Sequence, residues 1–201
     1  IISVGRDRTA KLSKFATQRF MDNITSITPG ALKGGVLSVQ RHPTKEQILV
    51  SGADGTPKIF KIFRTQARKI GDDFNLIKKF EALQGRVYSI NFNKEGTQFV
   101  AGSSFNEKGM VRAFKEDGAK LWNLNIATAV YTVRFSPDGK TMYLSDSHAS
   151  RQTVWAFDYD VDPGTPHPRR VFIDMNAYPG RPDGAAVDAD GCYWICGNDA
   201  G

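Results

Sequence analysis

The sequence predicts an all-β protein, a β-propeller of about four to five blade equivalents. Three observations point there. A four-strand unit recurs, with Val36 to Val87 spanning 51 residues, Val87 to Val130 spanning 43, and Gly139 to Gly191 spanning 52. Matching turn strings recur within it: Asn93-Lys94-Glu95-Gly96, Ser136-Pro137-Asp138-Gly139 and Asp188-Ala189-Asp190-Gly191. Helical spacing is sustained nowhere; over residues 7–19, where it fits, strand spacing fits as well.

The elements follow in order. Residues 1–5 and 9–15 read as two strands, and residues 16–33 as a long connection. Inner strands of the repeat are expected at 35–43, 86–93, 129–136 and 182–188. Second strands are expected at 47–51, 98–102, 141–145 and 192–197. Third strands follow at 58–63, 110–114 and 153–159, and fourth strands at 76–80, 120–125 and 170–174. The Gly that ends each turn string takes positive φ without cost, which suits a tight hairpin. Each unit is too small to cover its own apolar faces and needs neighbours. If the terminal strands combine, a small four-bladed ring closes; otherwise the chain is an arc of a larger propeller, whose open edges favour self-association.

The composition bounds the rest. Hydrophobic residues make up 40% and charged residues 24% of 201, enough for a core and unlike a disordered chain. The longest apolar runs are a few residues, so no membrane span is expected. Two cysteines do not make a disulfide scaffold. The chain starts at Ile1 without Met and reads as an excerpt, so its compartment stays open. The net charge of +6 is uneven. Residues 1–135 carry 22 Lys and Arg against 11 Asp and Glu, whereas residues 136–201 carry 5 against 10. The whole is read as one propeller domain over residues 1–201, in two parts that meet at that break. A basic first part attracts polyanions, but charges spread over strands and turns read as a solvated surface, so nucleic acid is not the expected partner.

Several residues invite chemistry. Asp146-Ser147-His148 has the composition of a hydrolase triad, but a triad is defined by spatial geometry, and these adjacent residues read as a turn. Ser38, Ser89 and Thr132 repeat on the inner strands and are read as hydrogen-bonding residues between strands. Cys192 and Cys196 share a strand face about 13 Å apart, too far to bond, and read as buried small residues. His42 and His167 each neighbour a Pro and are read as surface residues. The basic and aromatic run from Lys58 to Arg64 reads as a buried blade strand with a basic end. Trp122, Trp155 and Trp194 are read as packing between blades.

Two family resemblances meet in this chain. Ser3-Val4-Gly5-Arg6-Asp7-Arg8-Thr9-Ala10-Lys11-Leu12 and Ser51-Gly52-Ala53-Asp54-Gly55-Thr56-Pro57-Lys58-Ile59-Phe60 resemble the WD-repeat family, so residues 1–135 look WD-repeat-like. That family's Trp-Asp dipeptide and Gly-His pair are missing. The resemblance implies a scaffold that presents loops to protein partners.

The strings Ser136-Pro137-Asp138-Gly139-Lys140-Thr141-Met142-Tyr143-Leu144-Ser145-Asp146-Ser147, Val154-Trp155-Ala156-Phe157-Asp158-Tyr159-Asp160 and Arg181-Pro182-Asp183-Gly184-Ala185-Ala186-Val187-Asp188 resemble a second family. It is that of senescence marker protein, gluconolactonase and luciferin-regenerating enzyme, over residues 136–201. This resemblance implies a six-bladed propeller that hydrolyses lactones with a divalent ion, calcium or zinc. It also implies that Asp183 is the metal-binding, catalytic aspartate. Tyr131 stands where the family's second ligand is Asn, and its N-terminal Glu ligand has no match.

The repeat register puts Leu37, Tyr88, Tyr131 and Asp183 at equivalent positions on a channel rim. One carboxylate, two phenols and a leucine do not supply the oxygen donors calcium wants, nor the His, Cys or further carboxylates zinc wants. The expectation is therefore a non-catalytic propeller scaffold, a hybrid of two propeller families with an incomplete metal site and no cofactor. The alternative is a calcium- or zinc-dependent lactonase centred on Asp183.

Overall fold

The computed structural model describes residues 1–25, 34–67, 69 and 73–200. Within them the chain forms strands and one short 3-10 turn at Met175–Ala177. The first sheet holds β1 (Ile2–Val4), β2 (Ala10–Ser13) and β3 (Phe20–Asn23). The second holds β4 (Val36–Arg41), β5 (Gln47–Gly52), β6 (Lys58–Lys61) and β7 (Leu76–Lys79). The third holds β8 (Arg86–Phe92), β9 (Gln98–Phe105), β10 (Lys108–Lys115) and β11 (Lys120–Ile126). The fourth holds β12 (Val130–Phe135), β13 (Thr141–Asp146), β14 (Thr153–Asp160) and β15 (Thr165–Asp174). The fifth pairs β16 (Arg181–Val187) with β17 (Tyr193–Asn198). Each sheet is an antiparallel meander, so its strands pair in chain order.

This is the expected β-propeller architecture, all-β with four-stranded units. Sheets pack face to face in chain order: β1 on β4, β4 on β8, β8 on β12, and β12 on β16. The three turns behave as their sequences require. Gly96, Gly139 and Gly191 have φ of 76°, 73° and 85°, and each donates its N–H to the residue three before it.

Apolar side chains fill the layers between neighbouring sheets. Ala10 and Leu12 of the first sheet meet Ile48, Val50 and Phe60 of the second. Leu49 and Ile59 meet Phe92, Phe99 and Phe114, and Val100 and Val111 meet Phe135, Met142 and Leu144. Tyr143, Val154 and Ala156 meet Val187, Tyr193 and Ile195. The middle strand β9 is buried on both faces, with Phe99, Val100 and Ala101 each at 0% exposure. Burial of Phe99 and of Val100 contributes about 1.5–3 kcal/mol each. Among the described residues no helix is long and apolar enough to cross a membrane.

Polar side chains stitch the inner strands together. The Gln40 Oε1 accepts the Phe92 N–H at 2.6 Å, and the Asn91 Oδ1 accepts the Phe135 N–H at 2.7 Å. Arg134, at the same place in the next unit, donates from Nε to the Ala185 carbonyl at 3.0 Å. Ser89 donates to the Val133 carbonyl at 3.2 Å and accepts the Val133 N–H at 3.1 Å, so its expected bonding role is met.

Four expectations need correction. The stretch 16–33 is not all connection: it contains β3, which adds a third strand to the first sheet. Residues 26–33, with Thr28-Pro29-Gly30, and Arg68 lie outside the described residues. His42 is not a surface residue but is 2% exposed, wedged between the second and third sheets against Phe92 and Gly96. Cys192 and Cys196 are exposed free thiols: Cys192 precedes β17, and Cys196 lies on the two-stranded fifth sheet, which leaves its face uncovered. Trp194 is 64% exposed and donates its Nε1–H to the Asp188 carboxylate at 2.7 Å, whereas Trp122 and Trp155 pack against the core between the third and fourth sheets.

Candidate functional site

A cavity of about 490 Å³ opens where the third, fourth and fifth sheets meet. Tyr131 reaches it from β12, Arg181 and Asp183 from β16, and Asn198 from the end of β17. Ser147 and His148 reach it from the loop after β13, and Glu107 from the β9–β10 turn. Asn106 and Glu107 have φ of 48° and 63°, the positive values that the two central residues of this tight hairpin require.

The four rim positions share one backbone device. Pairing of β4 with β5 slips between Val36 and Ser38, leaving Leu37 in a bulge. Pairing of β8 with β9 slips between Val87 and Ser89 at Tyr88, and that of β12 with β13 between Val130 and Thr132 at Tyr131. Pairing of β16 with β17 slips between Pro182 and Ala185, at Asp183 and Gly184. A bulge leaves a residue out of the ladder and re-aims its side chain. Tyr88 and Tyr131 meet edge to face, with ring centroids 5.2 Å apart. Tyr131 and Asp183 share the cavity, which neither Leu37 nor Tyr88 lines.

Neighbours hold the Asp183 bulge from its backbone. The Thr132 hydroxyl donates to the Asp183 carbonyl at 2.9 Å, and the Ser147 hydroxyl donates to the Pro182 carbonyl. Arg134 secures the far side through Ala185. The Asp183 carboxylate itself is exposed and has no hydrogen-bond or ion-pair partner among the described residues. Arg181 pairs with the Asp199 carboxylate. Burial lowers the Arg134 guanidinium and raises the Tyr193 phenol, which sits 3.0 Å from the Ser145 hydroxyl beneath the bulge.

Asp146, Ser147 and His148 do not form a triad. Asp146 is fully buried and accepts the His148 backbone N–H at 3.2 Å. The His148 Nδ1 lies 2.8 Å from the Ser150 hydroxyl, and Ser147 turns to Pro182. Reading these residues as a bare turn missed that two of them face the cavity. Adjacency in sequence hid it, because the strand that completes the cavity lies 35 residues further on, at Pro182.

A calcium or zinc ion does not fit the described residues. They contain no group of three or more His, Cys, Asp or Glu side chains placed to hold a metal. Asp183, Glu107 and His148 line one cavity without converging on a point.

The sequence profile of the SMP-30/gluconolactonase/LRE-like region matches residues 84–201, more than half of the chain. The chain belongs to this family. The match begins inside the stretch that resembles WD repeats and takes in the whole third sheet. Membership thus rests on β8 to β17, the strands that build the cavity.

Curated relatives agree over shorter stretches. A 6-deoxy-6-sulfogluconolactonase of Pseudomonas putida is 42% identical over 67 residues, 33% of this chain and 22% of that protein. A putative sugar lactone lactonase of Rhizobium meliloti is 36% identical over 75 residues, 36% of this chain and 23% of that protein. An uncharacterized protein of Sulfolobus acidocaldarius is 34% identical over 61 residues, 30% of this chain and 22% of that protein. The chain matches under a quarter of the length of each of these relatives.

Proposed function

We propose that the cavity beside Asp183 binds and hydrolyses a sugar lactone. The observation that carries this reading is the unpaired Asp183 carboxylate, re-aimed by a bulge into a cavity of substrate size within the family's matched region. The names of two relatives, a sulfogluconolactonase and a putative sugar lactone lactonase, support the substrate class. In this reading Asp183 is the general base. It takes a proton from water, and the hydroxide attacks the lactone carbonyl carbon. The ring C–O bond breaks, and the leaving alkoxide takes the proton back to give an open-chain hydroxy acid. Such proton transfer supplies about 10²–10⁴-fold. No step is routed through a metal, since the donors among the described residues do not fit one.

The test is titration of acid release from aldonolactones, corrected for spontaneous opening. Hydrolysis above background, reduced about a hundredfold or more in Asp183→Asn, supports the reading. Equal rates for the two proteins contradict it.

A second reading is a non-catalytic scaffold that offers its loops to protein partners. It is favoured by the rim, where Leu37, Tyr88 and Tyr131 occupy three of four equivalent bulges with no carboxylate. The two WD-repeat-like strings support it further, since they fold alike. Asp7 accepts the Thr9 N–H and pairs with Lys11, and Asp54 accepts the Thr56 N–H and pairs with Lys58. Under this reading residues 1–201 act as one propeller unit.

A further inference from the structure

We propose that His148 is a substrate-binding residue whose Nε2–H donates to an oxygen of the molecule held beside Asp183. The inference deepens the sugar-lactone reading and rests on it. A backbone N–H only donates. The Ser150 N–H points to the His148 Nδ1 at 3.3 Å, so Nδ1 carries no proton and the ring hydrogen sits on Nε2. The Ser150 hydroxyl, 2.8 Å from the same nitrogen, donates to it as well.

His42 shows the same device used structurally. Its Nδ1 accepts the Thr44 and Lys45 N–H groups at 3.1 Å, and its Nε2 donates to the Gly96 carbonyl at 3.1 Å. His42 is buried with its donor satisfied. His148 is exposed at the cavity wall, and its Nε2–H has no partner among the described residues. One histidine ties two sheets together, and the other stands in the cavity wall with its donor unused.

The loop is built to hold that donor still. The buried Asp146 carboxylate accepts the His148 backbone N–H and lies 3.6 Å from the Arg151 guanidinium. The Ser147 hydroxyl ties the loop to Pro182, the residue before Asp183. The loop that carries His148 and the strand that carries Asp183 are thus joined beside one cavity. A lactone offers a carbonyl oxygen and several hydroxyl oxygens, each an acceptor for a neutral N–H. A pre-oriented donor costs less ordering on binding than a mobile one.

The test uses steady-state hydrolysis of glucono-1,5-lactone by the wild type, His148→Phe and His148→Gln. His148→Phe keeps the ring shape and is expected to raise KM about tenfold, the worth of one hydrogen bond, with a smaller change in kcat. His148→Gln places an amide N–H near Nε2 and is expected to restore most of the affinity. An unchanged KM in His148→Phe, or a Gln variant as weak as Phe, overturns the inference. Gluconate binding followed on the His148 ring proton by NMR is read without turnover. A shift that saturates supports the inference, and a signal that stays in place at all concentrations overturns it. A wild type that binds gluconate but opens no lactone refutes the hydrolase reading alone.

Discussion

Tyr131 and Asp183 occupy equivalent bulges on adjacent inner strands and open on one cavity. The Tyr131 bulge leaves one residue out of the ladder and the Asp183 bulge leaves two, Asp183 and Gly184, so the two share a place in the repeat and differ in backbone and in side chain. A phenol in one bulge and a carboxylate in the next give one base and one aromatic wall. Thr132, the residue after Tyr131, reaches across to hold the Asp183 carbonyl. The first bulge thereby positions the second.

That bond predicts a graded loss. Thr132→Val leaves the Asp183 carbonyl without its donor and is expected to cost about 1 kcal/mol, with slower lactone opening. Thr132→Ser keeps the hydroxyl and is expected to stay near wild type in both. Urea unfolding and hydrolysis rates, measured together, check this.

The two matched Asp–Lys pairs differ in depth and therefore in consequence. Lys58 is 5% and Asp54 16% exposed at the side chain, whereas Lys11 and Asp7 are 43% and 47% exposed. Asp54→Ala strands a buried ammonium and is expected to destabilise by about 3–5 kcal/mol. Asp7→Ala exposes nothing new and is expected to leave the urea midpoint nearly in place. Parallel denaturation of the two variants tests the contrast.

Stability is expected to fall in mild acid because of His42. Burial lowers its pKa against the weaker upward pull of Glu116, with Lys45 also pushing down. The unfolded chain then takes up a proton that the folded chain resists. Full stability is present above about pH 6.5 and is lost as pH drops from there toward the folded pKa. Tm measured from neutral pH to about pH 5 is expected to decline, with a flatter course in His42→Gln.

Gly96 sits against that histidine at φ 76°, and a Cβ there would collide with the His42 ring. Gly96→Ala combines left-handed strain with this clash and is expected to cost at least about 2 kcal/mol. Gly139 has the same conformation, but its nearest neighbour would sit 3.6 Å from a Cβ. Gly139→Ala is therefore expected to cost less, and thermal melts of the pair decide it.

The repeat made most of the fold legible. Among the described residues, strand alternation and turn glycines located sixteen of the seventeen strands, although β15 starts at Thr165, five residues before the expected start. β3 escaped because Phe20-Met21-Asp22-Asn23 has little alternation, and its pairing with β2 supplies the order. Burial was harder to read. His42 looked like a loop residue beside Pro43, and the third sheet encloses it through Phe92 and Gly96, 50 residues and more along the chain. Trp194 looked like core, but its sheet has two strands and leaves it to Asp188. The spacing aligned Leu37, Tyr88, Tyr131 and Asp183, yet the bulges that re-aim them appear only in strand pairing. His148 was invisible as a cavity residue because the strand that completes the cavity lies far along the chain, at Pro182.

The most direct measurement is the rate of sugar-lactone opening by the wild type and by Asp183→Asn under identical conditions. The account predicts acceleration over water in the wild type and its loss, by about a hundredfold or more, in the variant. Two proteins that open the lactone no faster than buffer would contradict it.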